Sequence, residues 1–341
     1  MTKLLKTLGQ NAQGMEEDYG VNRRHIEKFR QDRWGSTSRE ELQILMSLGD
    51  QYGVDFLTLE TAEVWRSFAG TTAASFLSRD AHGIRQEDTD AMGFLLKEGI
   101  HLDAPDSGDI IAKMKTRNCV IIGSPKYNDA CRAGLEALAD SSKQPKGGLG
   151  TPFKFVWNDW QASDRKTPFC ASAGANGAIG IEVLIEDGGG ERPSKRKGKQ
   201  INLSLGESKA VFLKADLPFG TTDYGWDYGV FVMCRKPFDT DADVTTVMLC
   251  GLSGFATKEI ARELSLGLLF LHPKHVHDGR PVWRILRCPW KREGRSVTAH
   301  SRGRQWIDPA DVKAVKAAAA ESRQPPPGRT GEPDDEGEYL R

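Results

Sequence analysis

"CVIIGSPKYNDACRAGLEAL" occupies residues 119–138. Its first four residues are apolar, and such a short unbroken run reads as a strand buried on both faces. Gly123, Ser124 and Pro125 stop the strand, and a helix begins near Asn128. The same order returns in "VTTVMLCGLSGFATKEIAREL", residues 244–264, with Gly251, Ser253, Gly254 and Thr257 in the turn. A strand end that meets a helix start leaves backbone N–H groups pointing outward, and this is where α/β folds bind ligands. Neither turn is a GxGxxG or a Walker loop. The second is not a GxSxG elbow, because Phe255 stands where the last glycine would be.

Outward from these two segments, strand-like and helix-like runs alternate. Strands are expected at 74–78, 119–124, 153–157, 181–185, 210–214, 229–234, 244–250 and 282–288. Helices are expected at 87–98, 109–116, 129–140 and 257–269. The pattern predicts an α/β fold with a mixed, largely parallel sheet over residues 70–318, its strand-rich middle forming an antiparallel extension. If both glycine turns end strands that run the same way, they share one sheet edge. Gly123, Ser124, Asn128, Gly251, Ser253, Gly254 and Thr257 are then the candidate ligand-binding residues, and the expected ligand is small and nucleotide-like.

Other clusters carry chemistry less specifically. "LSRDAHGIRQEDTDA", 77–91, supplies Asp80, Glu87 and Asp88 as alternative acid/base candidates. The acidic residues there also suit a helix N-terminus. "HPKHVHDG", 272–279, holds three histidines without an HExxH or an acidic ligand, so no metal site is expected. "EDGGGERPSKRKGKQ", 186–200, reads as a solvated connection. Residues 280–304 interleave Trp283 and Trp290 with eight Lys/Arg. That composition suits nucleic-acid contacts, but packed tryptophans with arginine stems around a sheet edge are the simpler expectation.

The first 66 residues differ in texture and read as a bundle of short helices. Within them, "GVNRRHIEKFRQDRWG", 20–35, follows the short helix "GMEEDYG". Gly20 sits where a tight turn between helices needs positive φ. Ile26 and Phe29 share one face, and the basic residues lie on the flanks. Thr37 with Glu40, or Ser38 with Glu41, has capping-box spacing before the helix of Leu42, Leu45 and Met46. Residues 3–60 resemble the phage-repressor-like (Xre/Cro) helix-turn-helix. The resemblance implies that Asn22, Arg23, Arg24 and Glu27 read base edges of double-stranded DNA and that Lys28, Arg30 and Arg33 face phosphates. It departs from the family at Glu16, Glu17 and Asp18, and residues 1–66 hold nine Lys/Arg against eleven Asp/Glu.

Length and composition bound these readings. A chain of 341 residues accommodates two domains, and 38% apolar with 28% charged residues suits a soluble protein. The longest apolar run of the C-terminal half, residues 264–271, is far short of a membrane span, and the N-terminus shows no secretory signal. Six scattered cysteines without a CxxC pair point to reduced thiols in a cytoplasm. Residues 319–341 are expected to form a disordered tail. The chain thus reads as a cytoplasmic, homodimeric DNA-binding regulator without a certain cofactor, whose α/β domain senses a nucleotide-like ligand. The alternative is an enzyme of nucleotide or nucleoside chemistry that uses the helical head for docking.

Overall fold

The computed structural model describes residues 2–30, 39–52, 72–77, 79–80, 83–97, 100–103, 108–139, 152–158, 160, 169–173, 177–186, 208–219, 222–239, 241–265, 278–294, 296–300 and 304–324. An N-terminal helical region is followed by a mixed α/β sheet domain.

The helical region contains α1 (Thr2–Leu8), α2 (Ala12–Tyr19), α3 (Arg23–Arg30) and α4 (Arg39–Gln51). Asn11 caps α2, its side-chain oxygen accepting from the backbone N–H groups of Gln13 (3.0 Å) and Gly14 (2.9 Å). Gly20 ends the helix at φ 69°, and its N–H donates to the Glu16 carbonyl at 3.1 Å. The left-handed conformation expected of Gly20 is therefore present. Leu4, Leu5, Ala12, Met15, Val21, Ile26, Leu45 and Leu48 form one buried cluster. It draws on both sides of the Gly20 turn, so burial fixes how α2 and α3 meet. The side chains of Phe29, Leu42 and Met46 lie outside the described residues.

The α/β domain opens with β1 (Thr72–Leu77), a small hairpin β2 (Arg79–Asp80) and β3 (Gly83–Ile84), α5 (Gln86–Lys97), β4 (His101–Leu102), α6 (Ile110–Thr116), β5 (Cys119–Ile122) and α7 (Asp129–Ala139). Then come β6 (Phe153–Trp157), β7 (Cys170–Ser172), β8 (Gly180–Glu186), β9 (Ser208–Lys214), β10 (Tyr224–Arg235) and β11 (Thr245–Gly251). The last elements are α8 (Gly254–Ser265), β12 (Val282–Glu293), β13 (Ser296–Ala299), β14 (Gln305–Ile307) and α9 (Val312–Glu321).

The main sheet runs β13-β12-β10-β11-β5-β1-β4, with β14 also paired to β12. Strands β4, β1, β5 and β11 are mutually parallel, whereas β10 is antiparallel to both β11 and β12. The parallel strands form one half of the sheet, and long antiparallel ladders form the other. The strand-rich middle is a correction to the expected extension. Strands β6 to β9 make a separate four-stranded sheet in the order β7-β6-β8-β9.

Alternation along each strand decides what covers each face. On one face Phe76, Ile121, Met248, Tyr228, Val230, Val232 and Ile285 share a cluster with α6, α7, α9 and the inner residues of the second sheet, among them Phe153, Phe155 and Trp157. On the other face Val120, Ile122, Val247, Leu249, Phe231, Leu286 and Trp290 share a cluster with Ala91 and Leu95 of α5 and with Ile260 and Leu264 of α8. Gly229 leaves room for α8 over the sheet, since a Cβ there would sit 2.5 Å from Ile260 Cδ1. All six cysteines are buried, and none forms a disulfide.

The folded unit extends past the expected limit at residue 318. Helix α9 continues to Glu321, Ala318 and Ala319 are buried, and the Trp226 indole N–H donates to the Gln324 carbonyl at 2.9 Å. Residues 319–324 therefore continue the folded unit, with Ala319 and Ser322 buried. The second basic region is also placed differently from expectation. Its strand β12 is interior to the sheet, and its arginines Arg284 and Arg287 are buried instead of lying along an edge.

Candidate functional site

Strands β1, β5 and β11 run the same way, so their C-terminal ends lie on one edge of the sheet. Helix α5 follows β1 on one face, and α7 follows β5 on the other. Adjacent connections that leave toward opposite faces open a crevice between the strand ends, here between Leu77 and Ile122. The two glycine turns are neighbours on this edge, and the Gly123 N–H donates to the Leu249 carbonyl at 3.0 Å. Three segments far apart in sequence are thus brought to one place.

Within the turns, the polar groups singled out from the sequence hold the backbone. Gly123 has φ 132°, a conformation that favours glycine. The Asn128 amide donates to the Ile122 carbonyl (2.9 Å), and its oxygen accepts from Cys131 N–H (3.2 Å), capping α7. The Ser124 hydroxyl accepts from Lys126 N–H at 3.3 Å. Thr257 lies in the first turn of α8, which begins at Gly254, earlier than expected. Its hydroxyl donates to the Ser253 carbonyl (3.2 Å) and accepts from Gly251 N–H (3.1 Å). A Cβ on Gly251 would lie 2.2 Å from the Ser253 carbonyl oxygen, so closure of this turn itself demands glycine there.

Beneath the second turn lies a carboxyl that sequence reading missed. Asp227 is wholly buried on β10, and the Ser253 hydroxyl donates to its carboxyl. Burial pushes its pKa up to about 7, against the lowering effect of hydrogen bonds from Ser253 and from the backbone of Tyr228 and Ala256. Asp227 thereby anchors the start of α8 from a neighbouring strand. The available signal was an acidic residue inside the otherwise apolar run of residues 224–234.

The accessible part of the edge is aromatic and cationic. Tyr127, 45% exposed, carries the Arg85 guanidinium 3.9 Å from its ring centre and the Lys126 ammonium at 5.2 Å. Arg132 donates to the Pro125 carbonyl at 2.6 Å and so braces the same turn. Beside the start of α8, a cleft of about 500 Å³ is lined by Glu87, Phe219, Phe255, Lys258 and Arg292, with Pro218, Gly294 and Val297. Among the alternative acid/base residues, Glu87 borders this cleft, Asp88 is buried, and the side chain of Asp80 lies outside the described residues.

A second surface lies at the head of α3. Asn22, Arg23 and Arg24 are exposed there, and Glu27 is half-buried. The side chains of Lys28 and Arg30, and all of Arg33, lie outside the described residues. The Asn22 side-chain oxygen accepts from Arg24 N–H at 2.9 Å and caps the helix. Glu41 on α4 fixes this end, accepting from the Asn22 backbone N–H at 2.8 Å and meeting His25 Nδ1 at 2.5 Å. Sequence spacing marked Glu41 only as a capping-box acid of its own helix.

Among the described residues, no group of three or more His, Cys, Asp and Glu is placed to hold a metal ion, and the three-histidine segment falls largely outside them. No helix among them is long and apolar enough to cross a membrane. Compared with known proteins, the chain matches no family model, no curated protein and no solved structure.

Proposed function

We propose that this chain is a DNA-binding regulator whose helical head docks double-stranded DNA and whose α/β domain binds a small nucleotide-like ligand. The observation that carries the first half is the pairing of α2 and α3. Two eight-residue helices are joined by Gly20, Val21 and Asn22, and the second presents Asn22, Arg23 and Arg24 to solvent at its N-terminus. Those are dimensions with which a helix-turn-helix lays its second helix in the major groove, N-terminal residues toward the bases. Arginine pairs bidentately with guanine and asparagine with adenine. With Asn22 spent on the cap through its oxygen, the two arginines carry most of the readout. Lys28, Arg30 and Arg33 complete the proposed phosphate contacts.

The second half is supported by the parallel half of the sheet. Its parallel strands end on one edge with the two glycine turns side by side, and at the start of α8 a cleft lined by Lys258, Arg292 and Phe219 brings cations and an aromatic ring that suit an anionic, planar ligand. The reading includes a homodimer, whose paired heads meet half-sites about 34 Å apart.

Fluorescence anisotropy of the whole chain on labelled duplexes from about 50 to about 200 mM salt tests the DNA half. Binding that weakens steeply with salt is expected, because phosphate contacts release counterions. Salt-independent binding, or none, refutes it.

A further inference from the structure

We infer that the cleft beside α8 is the ligand site of the α/β domain and that it takes a nucleoside monophosphate: a planar base, sugar hydroxyls and one anionic group. This rests on the reading of that domain as a binder of nucleotide-like ligands and gives it a place and a chemistry. The cleft, about 500 Å³, falls within the roughly 300–1,000 Å³ range typical of small-molecule sites.

Its lining sorts by chemistry. Lys258 and Arg292 bring two cations to the lining and Glu87 one carboxylate, a lining that suits an anion. Lys258 Nζ lies 4.0 Å from Asp90 Oδ2, the outer limit of an ion pair. Arg292 also donates to the Pro218 carbonyl at 2.6 Å, which holds in place the loop that carries Phe219. Phe219 is 69% exposed, the most exposed large apolar side chain among the described residues, and it stands on the wall of a cleft. A base stacked on it removes that surface from water, and stacking on an aromatic ring is indifferent to which base is present. Glu87 offers acceptors to sugar hydroxyls. Its stem lies against α8, since a Cβ on Gly254 would come within 3.0 Å of Glu87 Cβ. Glycine at 254 is what leaves room for Glu87 at the mouth of the cleft.

Isothermal titration calorimetry of the whole chain with AMP, GMP, CMP and UMP, and with adenosine and inorganic phosphate alone, tests this. At least one monophosphate is expected to bind, one per chain, and more tightly than either fragment. Phe219→Ala is expected to weaken the monophosphate by about tenfold or more, the loss of one stacking contact. Lys258→Met is expected to weaken monophosphate and phosphate but to leave adenosine unchanged, and Tyr127→Ala is expected to leave all three unchanged. Both cleft side chains are partly or largely exposed, and melting curves confirm that the variants fold. The inference is overturned if none of the four monophosphates binds, or if Phe219→Ala and Lys258→Met both bind as the wild type does. Loss of binding in Tyr127→Ala alone would overturn the cleft while leaving the nucleotide-binding reading intact, with its site moved to the crevice between β1 and β5.

Discussion

Two stretches of this chain look alike on paper and end in opposite environments. Residues 20–39 and residues 280–304 are both arginine-rich with apolar residues interleaved. In the first, Arg23 and Arg24 stand in solvent at the start of α3. In the second, Arg284, Arg287 and Arg304 are buried against carboxylates. Arg284 meets Asp308 at 3.1 Å, Arg287 pairs with Glu321, and Arg304 lies 3.0 Å from Glu259 and 2.7 Å from Glu263. The difference lies in the partners, which come from α8, α9 and the segment after β14. Burial opposes the charge of Arg304, yet Glu259 and Glu263 outweigh it, and its pKa is raised. Arginines of a basic run are therefore buried where the fold brings carboxylates to meet them.

The largest effect is expected where that compensation is removed. Glu263→Leu leaves Arg304 buried with one carboxylate fewer and should cost about 3–5 kcal/mol in chemical denaturation. Replacing Glu259, Glu263 and Arg304 together by Leu, Leu and Met should recover most of that loss, because no charge is left buried. If the single change is neutral, the network is not holding α8 to the sheet.

Asp227 sharpens the contrast, being a buried carboxyl that hydrogen-bonds to a hydroxyl and backbone N–H groups. Its pKa is raised from 3.8 to about 7, so the folded chain keeps a proton that the unfolded chain has released. The stability it contributes is fully present below about pH 4 and is lost as pH rises through about 7. Asp227→Asn should remove that slope, so the melting-temperature difference, variant minus wild type, should grow between pH 4 and pH 7, by the equivalent of a few kcal/mol at most. A difference that stays flat would show that Asp227 is ionised throughout.

In the helical head the analogous carboxylate is Glu41, which supports α3 from α4. Glu41→Ala removes bonds to the Asn22 N–H and to His25 and should destabilise the head by about 1–3 kcal/mol. Loss of α3 order, read by amide hydrogen exchange, should accompany it.

What could be read from the sequence follows the same division. Strands such as β5 and β6 were legible because an unbroken or alternating apolar run needs no distant partner to be recognised. Gly20 was legible because turn geometry is local. The separate sheet of β6 to β9 was not, since strand identity does not say which strand lies beside which. Helix α9 was missed because its alanine-rich face, with Ala318 and Ala319 buried, runs straight into a proline-rich polar tail. At the candidate site, the convergence of the two glycine turns could be anticipated from strand direction. The roles of Ser253, Thr257 and Asn128 could not, because their partners are backbone groups placed by the turn itself. Phe219 and Arg292, which line the cleft, carry no local pattern.

Arg23→Ala and Arg24→Ala should change stability least, by no more than about 0.5 kcal/mol, since both side chains are exposed. On the proposed reading their effect is on recognition, which makes them the most direct probe of the central claim. Rounds of enrichment from a random-sequence duplex library should give the wild-type chain a defined site. The double variant should lose that site, with discrimination down by about 1–3 kcal/mol per affected base pair, while retaining much of its salt-dependent binding to random DNA. No enriched sequence with the wild-type chain, or the same site selected by the double variant, would contradict the placement of α3 in the groove.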